Sequence, residues 1–149
     1  MISKILVPTD GSKTAQKAGT YAVDLAKQLQ ASIIVLSVID KRLLASRTVS
    51  VGRSQPDVAE SIDDYLREAA ERYAGVIKKL CEQKGVQSKV VIEPGHPVEE
   101  IVKEAEKSKV DLIIMGSHGQ SALVAATLGS VTYGVIHKDT SIPILIVKR

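Results

Sequence analysis

The sequence predicts an α/β protein built on a single doubly wound parallel sheet with helices on both faces. Short, β-branched apolar runs alternate along the chain with longer segments whose apolar residues recur every three or four positions. Most of the short runs are continuously apolar, which is typical of strands buried on both faces. A length of 149 residues fits one domain, spanning 1–149.

Five runs are candidate strands: residues 5–7, 32–39, 89–92, 111–115 and 142–147. Helical periodicity appears between them, in residues 15–29, 62–80, 98–105 and 130–137. Ser12 is placed to cap the first helix, Pro97 suits the first position of the third, and Gly85 suits a left-handed stop after the second. Right-handed crossovers between successive strands then give a parallel sheet.

The connection from 41 to 59 is longer than the usual link of about 2–6 residues. Its first part, 41–55, has no acidic residue but carries basic ones. They are Lys41, Arg42, Arg47 and Arg53. Two interpretations stay open, a mobile basic flap that reaches an anionic ligand and a solvated surface loop.

Composition argues against several classes of partner. The net charge is +3, and the chain has no Trp or Phe on which single-stranded nucleic acid could stack. The longest apolar run has five residues (122–126), against about 18 for a membrane span. Pro8 interrupts the first apolar run, so we expect no secretory leader. A lone cysteine, Cys81, fits a reducing compartment, and we expect a cytoplasmic protein without nucleic-acid or membrane partners.

Ligands of open parallel sheets bind beyond the carboxyl ends of the strands, where the strand order reverses. Beyond the fourth candidate strand stands the pattern Gly116-x2-Gly119-x9-Gly129-Ser130. Glycines let the backbone approach a ligand closely, and the N–H groups that open the last helix suit a phosphate. The Ser130 hydroxyl would add a donor or cap that helix. The alternative is that the glycines only shape a turn and permit tight packing.

This glycine pattern resembles the ATP-binding signature of the universal stress protein family. Residues 5–12 (ILVPTDGS), 111–119 (DLIIMGSHG) and 142–148 (IPILIVK) are also typical of that family. The resemblance covers essentially the whole chain. It implies a Rossmann-like, adenine nucleotide alpha hydrolase-like sheet in the order 3-2-1-4-5, with ATP between the ends of strands one and four. The same site would also fit AMP or cyclic AMP.

The resemblance places Asp10 and Val38 around the adenine and ribose. A carboxylate beside phosphates would be repelled, so hydroxyl or amine donors are better partners for Asp10; a plain turn or capping role is its alternative. Val38 and Met115 would form an apolar wall for the base, or belong to the core. The candidate nucleotide-binding residues are Pro8, Thr9, Asp10, Val38, Met115, Gly116, His118, Gly119, Gly129, Ser130 and Val131.

The function expected from this resemblance is that of an ATP-dependent sensor or switch in a stress response, with an unidentified protein partner. The family also suggests homodimers paired through the last strand. Many members carry Arg or Lys where this chain has Gln120, which removes a cation from beside the phosphates. No histidine has a partner at metal-ligand spacing, so any Mg²⁺ or Mn²⁺ would be held mainly by the phosphates.

Two other functions remain open at this point. No P-loop, nucleophile elbow or zinc-protease motif occurs. Gln120, His118 and Asp10 would support at most a slow ATP hydrolase or an adenylate-using enzyme, and we expect no catalytic residue. The second alternative is a nucleotide-free dimeric scaffold.

Overall fold

A computed structural model describes residues 1–43, 56–119 and 128–149. The strands are β1 (Lys4–Pro8), β2 (Ser32–Asp40), β3 (Ser88–Gly95), β4 (Leu112–Gly116) and β5 (Ile144–Val147). The helices between them are α1 (Lys13–Leu29), α2 (Pro56–Lys84), α3 (Pro97–Lys107) and α4 (Ser130–Ile136). The predicted alternation of strands and helices is therefore confirmed.

The strands form one parallel sheet in the order β3-β2-β1-β4-β5. This is the order 3-2-1-4-5 expected from the sequence. β1 lies between β2 and β4, with Pro8 opposite Leu36 and Leu6 opposite Ile113. The order reverses between β1 and β4, so the crevice that this topology offers to a ligand opens at their carboxyl ends.

Each face of the sheet has its own apolar core. On one face, small residues of α1 such as Ala18 and Ala22 pack with Ile77 of α2 against β1 and its neighbours. On the other face, Ile101 of α3 and Val135 of α4 cover β2 and β4. Burial on both faces explains why the central strands are continuously apolar.

The predicted helix signals are found where the sequence places them. The Ser12 hydroxyl accepts a hydrogen bond from the Ala15 N–H at 3.1 Å, Pro97 opens α3, and Gly85 has φ +70° after α2. One boundary was wrong: α2 begins at Pro56, so the connection after β2 ends at residue 55 and not at 59. Proline is favoured at a first helical position, and this was the overlooked signal.

Asp111, which directly precedes the neighbouring strand β4, anchors the start of β1. Its Oδ2 accepts from the Ser3 N–H at 2.8 Å, the Ser3 hydroxyl at 3.0 Å and the Lys4 N–H at 3.0 Å. These donors stabilise the charged carboxylate and lower the pKa of Asp111. Within the part of the chain that the structure describes, no helix has the length and apolarity needed to cross a membrane.

Candidate functional site

The ends of β2, β1 and β4 bring the predicted site residues to one edge of the sheet. The register that pairs Pro8 with Leu36 continues for one residue, because the Thr9 N–H donates to the Leu36 carbonyl at 2.8 Å. Asp10 follows two residues beyond Pro8, in the turn before α1 and at the same edge of the sheet as the end of β2. On the other side of β1, Met115 and Gly116 end β4.

The turn between β1 and α1 holds Asp10 at its exposed tip. Asp10 Oδ1 accepts from the Ser12 N–H at 3.0 Å, and Thr9 Oγ1 accepts from the Gly11 N–H at 3.2 Å. Gly11 has φ +78°, and a Cβ built on it would lie 2.2 Å from a ring carbon of Tyr73. Asp10 thus takes part in the turn through one oxygen, and its second oxygen points across the crevice toward the loop after β4.

The end of β4 packs between α1 and α4. A Cβ on Gly116 would lie 2.8 Å from Thr14 Cγ2 and 2.9 Å from the Thr14 carbonyl carbon, so α1 packs directly on this glycine. From the other face, the buried Thr132 hydroxyl of α4 donates to the Gly116 carbonyl at 2.8 Å. Sequence reasoning missed both threonines, since neither lies in a recognisable pattern.

The two halves of the glycine motif lie side by side. The Gly129 N–H donates to the Ser117 carbonyl at 2.7 Å, and a Cβ on Gly129 would lie 3.2 Å from His118 Cα. A Cβ on Gly119 would instead lie 2.4 Å from Asp10 Oδ2. Close packing favours glycine at both 116 and 129. At 119 the missing side chain makes room for the carboxylate of a candidate ligand residue.

The start of α4 differs from one expectation. Gly129 is the N-cap, with extended φ −70° and ψ 158°, and Ser130 is the first helical residue. Of the two roles expected for the Ser130 hydroxyl, the cap was wrong, and the role of an added donor stays a prediction. The helix entry is set by the backbone of Gly129, which places Ser130 one position too late to cap. Among the described residues, no hydrogen-bond acceptor faces the N–H groups of Ser130 and Val131.

The remaining candidates lie around this centre with different exposures. Met115 is only 5% exposed and packs in the core that faces α3 and α4, while Val38 is half-buried at the margin of the same core. His118 is half-buried, with Nδ1 2.8 Å from the hydroxyl of the buried Ser117. Pro8 and Thr9 are buried beneath Asp10.

One of the basic residues that follow β2 forms an ion pair with the end of that strand. The Arg42 guanidinium donates to both oxygens of Asp40, at 3.0 Å from Nε and 2.8 Å from the terminal nitrogen. Burial raises the pKa of Asp40, but the hydrogen bonds from the side chain and backbone of Arg42 outweigh it and lower that pKa. Arg42 is thus engaged at the end of β2, whereas Arg47, Arg53 and Gln120 lie outside the described residues.

The chain's own side chains form no evident metal centre in this region. Over residues 1–43, 56–119 and 128–149, no group of three or more His, Cys, Asp or Glu side chains is arranged to hold a metal ion.

A model of the universal stress protein family matches residues 1–148. The chain belongs to the universal stress protein family. This universal stress protein is 41% identical over 158 aligned residues to universal stress protein MJ0577 of Methanocaldococcus jannaschii, covering 100% of this chain and 96% of that protein. The solved structure of MJ0577 superposes with a TM-score of 0.85 at 40% identity, covering 100% of this chain and 97% of the other.

Two more distant structures share the fold. One is a universal stress protein in complex with cAMP, with a TM-score of 0.60, 21% identity and coverage of 99% of this chain and 97% of the other. The second is the universal stress protein from Archaeoglobus fulgidus in complex with dAMP, with a TM-score of 0.62, 20% identity and coverage of 99% and 100%.

Proposed function

We propose that this universal stress protein binds an adenine nucleotide, with ATP as the preferred ligand, in the crevice between the ends of β1 and β4. The observation that carries the proposal is the juxtaposition of Asp10 with Gly119, and of Gly129 with His118 and Gly119, at the reversal point of the sheet. The complexes of two family members with cAMP and dAMP support an adenine nucleotide as the ligand class.

Each part of the crevice suits a different part of the nucleotide. Asp10 is exposed and anionic, so it accepts from the ribose hydroxyls or the exocyclic amine and repels phosphate. Val38 offers apolar surface to the base, with Pro8, Thr9 and Met115 supporting that wall. Backbone N–H groups serve the phosphates from the loop after β4 and the start of α4. The residues that line this part of the crevice are Gly116, His118, Gly119, Gly129, Ser130 and Val131; the Gly129 N–H donates to Ser117 and is therefore not one of these donors.

A nucleotide acts as a signal only if it binds one state of the protein better than another. The crevice is formed by residues from the ends of three different strands and from the start of α4, so bound ATP would link segments that are far apart in the chain. We therefore propose a sensor or switch in which nucleotide occupancy changes the surface shown to a protein partner. The protein would work in the cytoplasm as one domain, 1–149, and Mg²⁺ or Mn²⁺ would arrive on the phosphates.

We also propose that the protein is a homodimer paired through β5. The two outer strands of the sheet differ in composition. β3 carries Lys89, Glu93 and Pro94, which discourage pairing with another chain, whereas β5 consists only of Ile, Leu and Val. All residues of β5 are half-buried in the single chain. An apolar outer strand of this kind is protected when a second copy pairs with it.

The proposed function is tested by thermal unfolding with and without nucleotide. Saturation at 100 times Kd stabilises a binding protein by about 2.7 kcal/mol, which corresponds to about 5–10 °C for a chain of this size. ATP should give such a shift, and acid extraction of the purified protein should release an adenine nucleotide. An unchanged melting temperature together with an empty extract would favour the nucleotide-free scaffold. Sustained phosphate release above a blank would favour the hydrolase.

A further inference from the structure

An open cleft of about 410 Å³ lies next to the loop after β4. We call it the α1 cleft. Its lining comes from the first turns of α1, from the loop after β4 and from the end of the chain. The lining residues are Ser12, Lys13, Thr14, Lys17, His118, Gly119 and Arg149. Its volume falls within the range of small-molecule sites, about 300–1,000 Å³.

The side-chain charge of the α1 cleft is one-sided. Lys13, Lys17 and Arg149 are exposed cations, and none of the residues that line the cleft is acidic. The ion pairs found among the described residues join Arg42 to Asp40, Lys84 to Asp24 and Lys138 to Glu99, and none uses a cation of the cleft.

The two lysines of the cleft are unfavourable for the stability of α1. Lys13 and Lys17 are four residues apart on one helix face, where like charges repel each other. Lys13 is the first residue of α1, where the helix dipole disfavours a cation, and the first turn contains no acidic residue. An anion seated in the cleft would relieve both unfavourable terms.

The α1 cleft adjoins the proposed nucleotide site through two shared residues. His118 and Gly119 line the cleft and also belong to the candidate phosphate loop. Asp10 Oδ2 approaches Gly119, but Asp10 is not among the residues that line the cleft. A phosphate chain that continues from the loop after β4 into the cleft would therefore meet the cations.

We infer that Lys13, Lys17 and Arg149 bind the outer phosphates of a nucleoside triphosphate and make the site prefer ATP over AMP. This inference rests on the proposed function. The glycine loop has Gln120 after its second glycine, where many members of the family carry a cation. The three cations from α1 and the chain end would supply positive charge in its place. A monophosphate held by the loop would not reach them, whereas the second and third phosphates extend the negative charge into the cleft.

The test compares ATP, AMP and inorganic tripolyphosphate by calorimetric titration at low salt. The variant is Lys13→Glu with Lys17→Glu, which reverses two charges at exposed positions, and glutamate near a helix start favours the helix. The control is Lys79→Glu with Lys89→Glu, which changes net charge equally on exposed residues. Lys89 lies near the start of β3, and Lys79 lies near the end of α2, just before that strand.

We expect the cleft variant to lose at least tenfold in ATP affinity while its AMP affinity stays within twofold of the native protein. Tripolyphosphate should compete with ATP on the native protein, and the control should change neither nucleotide by more than twofold. Raising the salt concentration should reduce the preference for ATP, because the cations are exposed.

Three results would overturn the inference while leaving nucleotide binding in place: equal affinity of the native protein for ATP and AMP, an equal loss of both in the cleft variant, or the same loss in the control. Failure of the native protein to bind either nucleotide would overturn the proposed function, and the inference with it.

Discussion

Replacing Gly119 with alanine separates nucleotide binding from folding more cleanly than any other change in the crevice. The added Cβ would lie 2.4 Å from Asp10 Oδ2, whereas ordinary contact begins at 3.4 Å, so the carboxylate must retreat by about 1 Å. Only the end of an exposed side chain has to move. The same substitution at Gly116 or Gly129 would meet backbone atoms instead.

The cost to stability follows from what Asp10 loses. Its retreat strains the hydrogen bond from the Ser12 N–H, worth about 0.5–1.5 kcal/mol. Replacing glycine by alanine lowers the entropy of the unfolded chain, which stabilises the folded protein by about 0.4–1 kcal/mol where the backbone is unstrained. At about 2–4 °C per kcal/mol for a chain of this size, the melting temperature should stay within about 4 °C.

The cost to binding should be larger. Hydrogen bonds to a charged group contribute about 1.5–3 kcal/mol, and each 1.4 kcal/mol is about tenfold in affinity. If Asp10 no longer meets the nucleotide, Kd for ATP should rise about 10- to 100-fold, measured by calorimetry. Gly75→Ala is the matched control, since its Cβ meets nothing within 4 Å, and its affinity should be unchanged. Native affinity in Gly119→Ala would refute the assigned role of Asp10.

Three further predictions concern stability. Gly116→Ala places a methyl group 2.9 Å from the Thr14 carbonyl carbon, so the backbone of α1 has to shift. The free energy of unfolding, measured in urea, should fall by about 1–3 kcal/mol. Thr132→Val removes the buried donor to the Gly116 carbonyl at similar volume and should cost about 1–3 kcal/mol, measured by the same unfolding; an unchanged midpoint would show that another donor replaces it. The lowered pKa of Asp111 contributes stability that is present above its unfolded pKa of about 3.9 and is lost as pH falls through the folded value. Asp111→Asn should therefore be less stable than the native protein at pH 7, and the difference in urea midpoint should shrink at pH 3; a difference independent of pH would contradict this.

The architecture could be predicted because its signals are local. Continuous apolar runs mark strands covered on both faces, and Ser12, Gly85 and Pro97 mark helix ends through their own backbone or side-chain chemistry. The start of α2 was misplaced because Pro56 stands before the apolar periodicity begins, so the periodic pattern did not include it. The residue type of Ser130 suggested a cap, but the N-cap is the residue whose backbone is extended just before the helix. In α4 that residue is Gly129.

The interior of the site could be predicted only in part. The glycine pattern marked the loop after β4, but it did not show that Gly116 faces Thr14 or that Gly119 faces Asp10. These contacts join segments more than a hundred residues apart, and they depend on how helices seat on the sheet. The same is true of the α1 cleft, where Arg149 joins lysines from the opposite end of the chain.

The most direct test of the account is to map ATP binding on backbone amide resonances. On addition of ATP, the amide signals of Asp10, Val38 and Gly119 should shift together and saturate, with those of Ser130 and Val131, at a single Kd. Signals from the opposite edge of the sheet, such as that of Lys89, should stay in place. Shifts confined to that opposite edge, or none at saturating ATP, would contradict a nucleotide site between β1 and β4.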